Sequence, residues 1–210
     1  MKVLLGKKVG MTQVFTEAGE MIPVTVIEAG PQTVTQVKTM DRDGYEAVQV
    51  GYHDAKPQRV NRPMTGHLEK SGVLKRHLAE FIPDEGDTYQ VGQVMTVTEL
   101  EEGKKLDVTG ISKGKGTQGN IKRHGHHRGP MTHGSKHKRL PGALAGCASP
   151  GRVFKGNKGP GRMGRDTVTV QNVILVKVME DRNLLLVKGA VPGPKGGLLQ
   201  VQYAVKGQDK

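Results

Sequence analysis

Two short runs decide the fold class: Ile22-Pro-Val-Thr-Val-Ile-Glu28, then, past Gly30-Pro31, Thr33-Val-Thr-Gln-Val-Lys-Thr39. In both, apolar or β-branched residues alternate with polar ones, the period of a strand with one buried face. The Gly-Pro pair between them is turn chemistry. The same pattern extends outward. Val3–Leu5, Thr12–Thr16 and Ala47–Tyr52 read as strands, set off by turns at Ala18-Gly19 and Asp43-Gly44. Val94–Leu100, Leu106–Gly110, Thr167–Met179, Asn183–Lys188 and Leu198–Val205 continue it, with Glu180–Asn183 as a hairpin turn. Strands recurring at roughly 8–12 residues predict a mainly β fold, a closed or nearly closed antiparallel barrel. Residues 54–93 differ: Leu68, Val73, Leu74, Leu78 and Phe81 fall near helical spacing, interrupted by Gly66 and Gly72. That stretch predicts one or two short helices beside the barrel.

Charge divides the chain more sharply than hydropathy does. Residues 111–165 hold 13 Lys and Arg and no Asp or Glu, with 13 Gly, 4 Pro and 5 of the 8 His. Outside that window 19 Lys and Arg face 20 Asp and Glu, so the net charge of +12 arises inside it. The window's few apolar residues show no period of 2 or 3.6, so it has no core of its own to build. The expected organisation is a globular β-barrel domain from 1–110 and 166–210, less regular at 54–93, with 111–165 as an extended basic arm. An inserted loop tied down at both ends places contacts far from a rigid base.

With 210 residues, 35% hydrophobic and 3% aromatic, and no Trp, the core must rest on Val, Leu, Ile and Met. Cys147 is the single cysteine, which excludes an internal disulfide and fits a reducing compartment. The start, MKVLLGKKVGMTQVF, has no apolar stretch of signal-peptide length, and the longest apolar runs, such as Val173–Val176, are too short to span a bilayer. A cytoplasmic protein without a membrane partner is expected.

The window's chemistry points to nucleic acid. Lys113, Lys115, Lys122, Arg123, Arg128, Lys136, Lys138, Arg139, Arg152, Lys155, Lys158, Arg162 and Arg165 are spaced along it rather than clustered. Spaced cations suit a strand threading among phosphates on several sides. His124 and His133, with His126, His127 and His137, offer rings for stacking on bases or bonding 2′-hydroxyls. A solvated linker is the plainer alternative, but thirteen cations without one acid is unusual for a linker.

Other chemistries are weaker. His124, His126, His127, His133, His137 and Cys147 suggest zinc, yet the window has no carboxylate to orient a ligand and cations crowd every candidate. Gly114-Lys115-Gly116-Thr117-Gln118-Gly119 matches a dinucleotide fingerprint, but Asn120–Pro130 is too rich in Gly and His for the helix it needs, and no acid comes before Asp166. Cys147 has no orienting group, and the pairs Glu101-Glu102 and Asp84-Glu85 read as turn residues. No catalytic residue, metal, cofactor or small-molecule substrate is expected.

One signature and seven further stretches carry a family resemblance. From Leu100 through Asp107, Gly110, Ser112, Gly114-Lys115-Gly116, Gly119 and Arg123 the chain resembles the signature of the universal large-subunit ribosomal protein family numbered three. LLGKKVGMTQVF at Leu4, IPVTVIEAGP at Ile22, DGYEAVQVGY at Asp43, PGRVFKG at Pro150, GRMG at Gly161, VTVQN at Val168 and NLLLVKGAVPG at Asn183 are similar to it too. The resemblance implies a barrel of the translation-protein type, binding to large-subunit ribosomal RNA near its 3′ end, and a role in nucleating subunit assembly. It also implies an arm directed toward the peptidyl transferase centre, with large-subunit proteins fourteen and nineteen as neighbours. The implied role is architectural, with catalysis left to the RNA. An RNA-binding assembly factor that leaves the mature subunit is the alternative. Two departures stand out. Pro141–Gly151 contains no glutamine, so the methylation some members carry there is not implied. His124-Gly125-His126 stands where many members have Trp-Asn-Phe, so imidazole stacking would replace aromatic packing.

Overall fold

The computed structural model describes residues 3–84, 86–144 and 146–207, and the chain in it is mainly β with antiparallel sheets. The strands are β1 (Val3–Phe15), β2 (Met21–Ala29), β3 (Gln32–Lys38), β4 (Ala47–Asp54), β5 (Lys75–Phe81) and β6 (Val94–Met95). They continue as β7 (Lys105–Ile111), β8 (Thr117–Gln118), β9 (Gly161–Arg162), β10 (Thr167–Met179), β11 (Leu184–Lys188) and β12 (Leu198–Tyr203). Three short helices are α1 (Met40–Asp43), α2 (Arg62–Leu68) and α3 (Asn120–His124). Two compact units emerge: the residues up to Ile111 and from Thr167 on, and Ser112–Asp166.

In the first unit β1, β12, β7, β10, β11 and β2 hydrogen-bond in that order, and β2 returns to β1 to close the barrel. Closure leaves no unpaired edge among these strands. Leu5, Ile27, Leu106, Val108, Leu175, Leu185, Val187 and Val201 are buried in its core. Each such side chain contributes about 1.5–3 kcal/mol on leaving water. A bulge between Val170 and Val173 puts Asn172 at φ 57°, and the buried Asp107 carboxylate accepts from its N–H at 2.9 Å. The bulge thus satisfies its displaced amide.

The barrel draws on fewer segments than the periodicity suggested. β3, β4, β5 and β6 form a separate four-stranded sheet in the order β5-β4-β3-β6. Alternation shows that a strand has a buried face; it does not show which sheet buries it. Val3–Leu5 and Thr12–Thr16, expected as two strands, are one: β1 crosses the charged Lys7-Lys8 pair and a bulge before Gly10. Lys8 is tolerated because its ammonium donates to the Val191 and Gly193 carbonyls at 2.9 and 3.3 Å.

Residues 54–93 contain the expected short helix, α2, but also a strand that periodicity missed. Leu74, Leu78 and Phe81 are not helical neighbours: Gly72 turns left-handed at φ 67°, and β5 then pairs along β4. Six consecutive residues of β4, Ala47–Tyr52, are buried, and its backbone needs partners on both sides. Val94–Leu100 also differs from expectation. Only Val94–Met95 is strand, and Val97–Glu99 is a 3-10 turn that buries Val97 and, just after it, Leu100.

Gln32 joins the sheet to the barrel. It is fully buried, and its amide accepts from Leu5 N–H at 2.9 Å and donates to the Val3 carbonyl at 2.7 Å. Nearby, Tyr52 donates its hydroxyl to the Glu28 carbonyl at 3.0 Å, and burial pushes that phenol up to about 12.

Candidate nucleic-acid interface

The unit Ser112–Asp166 is built on backbone pairing rather than on a core. Asn120 is its one buried residue among those described. Its two limbs meet in a stem. Ser112 N–H donates to the Asp166 carbonyl at 2.9 Å, Lys115 N–H to Met163 at 2.9 Å, and Met163 N–H to Gly116 at 3.0 Å. β8 and β9 extend this pairing through Thr117–Arg162 and Gln118–Gly161. Gly164 sits at φ 78° against the Lys113 carbonyl, a place only glycine fills without strain.

Beyond the stem comes a correction: Asn120–His124 is helical, although Asn120–Pro130 was expected to be too rich in Gly and His. The glycines lie at the helix boundaries. Gly119 precedes the first turn and Gly125, at φ 68°, ends it by returning its N–H to Ile121. The helix braces the returning limb. Asn120 Nδ2 donates to the Lys158 carbonyl at 2.9 Å, Arg123 Nη1 donates to the Gly159 carbonyl at 2.9 Å, and His124 Nε2 lies 3.0 Å from the same oxygen. The fingerprint glycines are therefore stem and cap residues. They follow a strand of an antiparallel barrel rather than a parallel βαβ unit. A lone Asn in a Gly-rich run carries no signal that marks it as a brace.

Nearly all of the residues expected to contact RNA are exposed. Lys113, Lys115, Lys122, Arg123, Arg128, Lys136, Lys138, Arg139, Arg152, Lys155, Lys158, Arg162 and Arg165 are all exposed, as is His133, while His124 is half-buried. None of the cations is ion-paired with a described residue. Arg123 and His124 stand apart, since part of their hydrogen-bonding capacity is spent on Gly159. Farther out, Gly129 N–H donates to the Lys138 carbonyl at 3.1 Å and closes the loop that carries Lys136. Arg152 lies 6.0 Å over the Phe154 ring, and the His124 and His126 rings are 5.9 Å apart. Met131, Leu140, Leu144, Val153 and Phe154 are exposed as well. Exposed cations and exposed apolar side chains thus occur together in this unit.

The remaining candidates fall elsewhere. Among the described residues no three of His, Cys, Asp and Glu gather as metal ligands. Cys147 is exposed as a free thiol. Glu102 accepts from the Val178 N–H at 2.7 Å, a structural role, and Glu85 lies outside the described residues.

Residues 85–182 match the family described as Ribosomal protein L3, a span that contains every candidate contact above. A relative from Finegoldia magna, named large ribosomal subunit protein uL3, is 55% identical over 207 residues, 98% of this chain and 99% of its own length. The chain belongs to the uL3 family. Relatives of the same name from Carboxydothermus hydrogenoformans and Geobacillus sp. are 55% and 54% identical, over 99% and 100% of this chain and 99% of their own lengths. The uL3 likeness therefore runs through both units, barrel and basic loop together.

Proposed function

We propose that the chain is a structural constituent of the large ribosomal subunit, acting in the cytoplasm, and that it binds ribosomal RNA mainly through residues 111–165. One observation carries this reading: thirteen exposed cations on a coreless, carboxylate-poor unit, each without an ion pair to a described residue. Such a surface gains by releasing counterions from phosphates. The uL3 relatives bear the large-subunit name, which supports the destination. The barrel, of the translation-protein type, is the globular anchor, and the basic unit is an arm directed toward the peptidyl transferase centre. Binding near the 3′ end of the large-subunit RNA, early help in assembly, and large-subunit proteins fourteen and nineteen as neighbours complete the proposal. The role is architectural and non-enzymatic.

The test replaces Lys136, Arg139 and Arg152 together by Ala, leaving Arg123 because it also braces Gly159. The variant should enter large subunits poorly, and its RNA affinity should lose about 2 from the magnitude of its log–log salt slope. Normal incorporation with an unchanged slope refutes the arm's role. Co-sedimentation of the wild-type chain with high-salt-washed large subunits separates a resident protein from a departing assembly factor.

A further inference from the structure

The first unit is nearly neutral by composition, yet its basic side chains are not evenly spread. Where β4 ends and β5 begins, a cleft of about 400 Å³ opens beside α2. Lys56, Arg59, Lys75 and Arg76 line it against a single carboxylate, Asp54. That carboxylate is engaged: Lys75 Nζ lies 2.7 Å from its Oδ1. Lys56, Arg59 and Arg76 are exposed, and none is ion-paired with a described residue.

The local build explains this arrangement. Asp54 sits opposite Lys75 in the β4–β5 register, and Ala55 N–H donates to the Leu74 carbonyl at 2.9 Å. A Cβ on Gly51 would stand 2.7 Å from Lys75 Cβ, so the bare backbone lets the lysine stem lie across β4. Lys75 is thereby spent on Asp54, while the turn Pro57–Arg59 raises Arg59 on the rim. Half-buried Val60 and Met64 supply an apolar lining. His53 holds a left-handed conformation at φ 61°, a strained state of the kind that collects at binding sites. It and Arg76 also line an adjoining hollow of about 240 Å³ that adds Lys7 and His77 and no carboxylate.

We propose that this cleft is a second RNA site, independent of residues 111–165, taking one nucleotide and its two flanking phosphates from a folded RNA. The inference rests on the reading of the chain as an RNA-binding protein. The ribose or base covers Val60 and Met64, and Lys56, Arg59 and Arg76 take the phosphates. Cations set around an apolar lining match a flat nucleotide between two charges. An acidic peptide offers carboxylates but nothing flat to cover that lining.

The experiment measures binding of the full chain to protein-free large-subunit ribosomal RNA across a salt series. Three proteins are compared: wild type, a cleft variant (Lys56→Gln, Arg59→Gln, Arg76→Gln) and a window variant (Lys136→Gln, Arg139→Gln, Arg152→Gln). Each variant should bind roughly ten-fold or more weakly near 0.15 M salt and lose about 2 from the slope. A cleft variant that matches wild type while the window variant is weakened overturns this inference alone. A wild-type chain that ignores RNA, or an unaffected window variant, overturns the RNA reading beneath it. Should the cleft variant fail to fold, ultraviolet crosslinking of the wild-type chain decides: crosslinks within 53–64 or 75–77 support the site, and crosslinks confined to 111–165 overturn it. Protection of the cleft by polyglutamate without any RNA crosslink there assigns it to an acidic protein and overturns it as well.

Discussion

Replacing Gln32 by Met should destabilise the first unit more than any single deletion of a buried methyl group. β1 is paired on one side by β12 from Val3 onward, but β2 joins its other side only at Gly6. Between those points the Gln32 amide takes the place of a strand, accepting from Leu5 N–H and donating to the Val3 carbonyl. Met preserves length and volume and removes both partners. Two backbone groups are then stranded where Gln32 is 0% exposed, out of reach of water. At about 1–3 kcal/mol for each unsatisfied group, the loss is about 2–6 kcal/mol. For a chain of this size each kcal/mol lowers Tm by about 2–4 °C, so a fall of about 4–24 °C is expected. Urea unfolding followed by far-ultraviolet circular dichroism should report the change as a lower midpoint at an unchanged slope. Gln32→Glu is the companion variant: it keeps the acceptor for Leu5 but aims a carboxylate oxygen at the Val3 carbonyl, and near neutral pH it should do no better than Met. A Gln32→Met protein within about 0.5 kcal/mol of wild type would falsify the assignment of Gln32 as a strand surrogate.

Two further outcomes are expected. Gly164→Ala should open the stem, because the residue sits at φ 78° and its Cβ would press on the Lys113 carbonyl; faster hydrogen exchange at Lys115 and Met163 measures this, and unchanged exchange contradicts it. Glu80 is held below its ordinary 4.5 chiefly by the Lys38 ammonium 2.8 Å away, so its stabilisation is present above 4.5 and fades as pH falls through the lowered value. The stability gap between wild type and Glu80→Gln should therefore narrow on acidification below that point, whereas a gap that stays constant with pH shows that the ion pair contributes nothing.

Much of this was readable before any coordinates. Thr167–Met179 is a strand over its expected bounds, and Ile22–Glu28, Thr33–Thr39 and Leu198–Val205 are strands within a residue or two. In Leu198–Tyr203 the period-2 signal coincides with alternating burial, whereas Gln32–Thr35 at the start of β3 are all buried and keep their strand character through β-branched content. Misreadings occur where one pattern serves two structures. Val94, Met95, Val97 and Leu100 satisfy a strand and a 3-10 turn alike, and Leu74, Leu78 and Phe81 suit a helix until β4 demands a partner. The basic window announced its composition but not its stem, because Gly116, Gly161 and Gly164 give no periodic signal while permitting close backbone pairing.

What the chain's composition determined by itself is the separation of charge: thirteen cations and no acid across residues 111–165, a segment with no core-forming pattern. That follows from local residue content and needs no neighbours in space. Only the tertiary structure decided which strands close the barrel and which leave it, why Gln32 is polar in a buried place, and how Lys56, Arg59 and Arg76 gather beside one occupied carboxylate. Those outcomes depend on residues as far apart in sequence as Val3 and Gln202 meeting through backbone pairing, and a hydrogen bond across that distance leaves no period in the sequence.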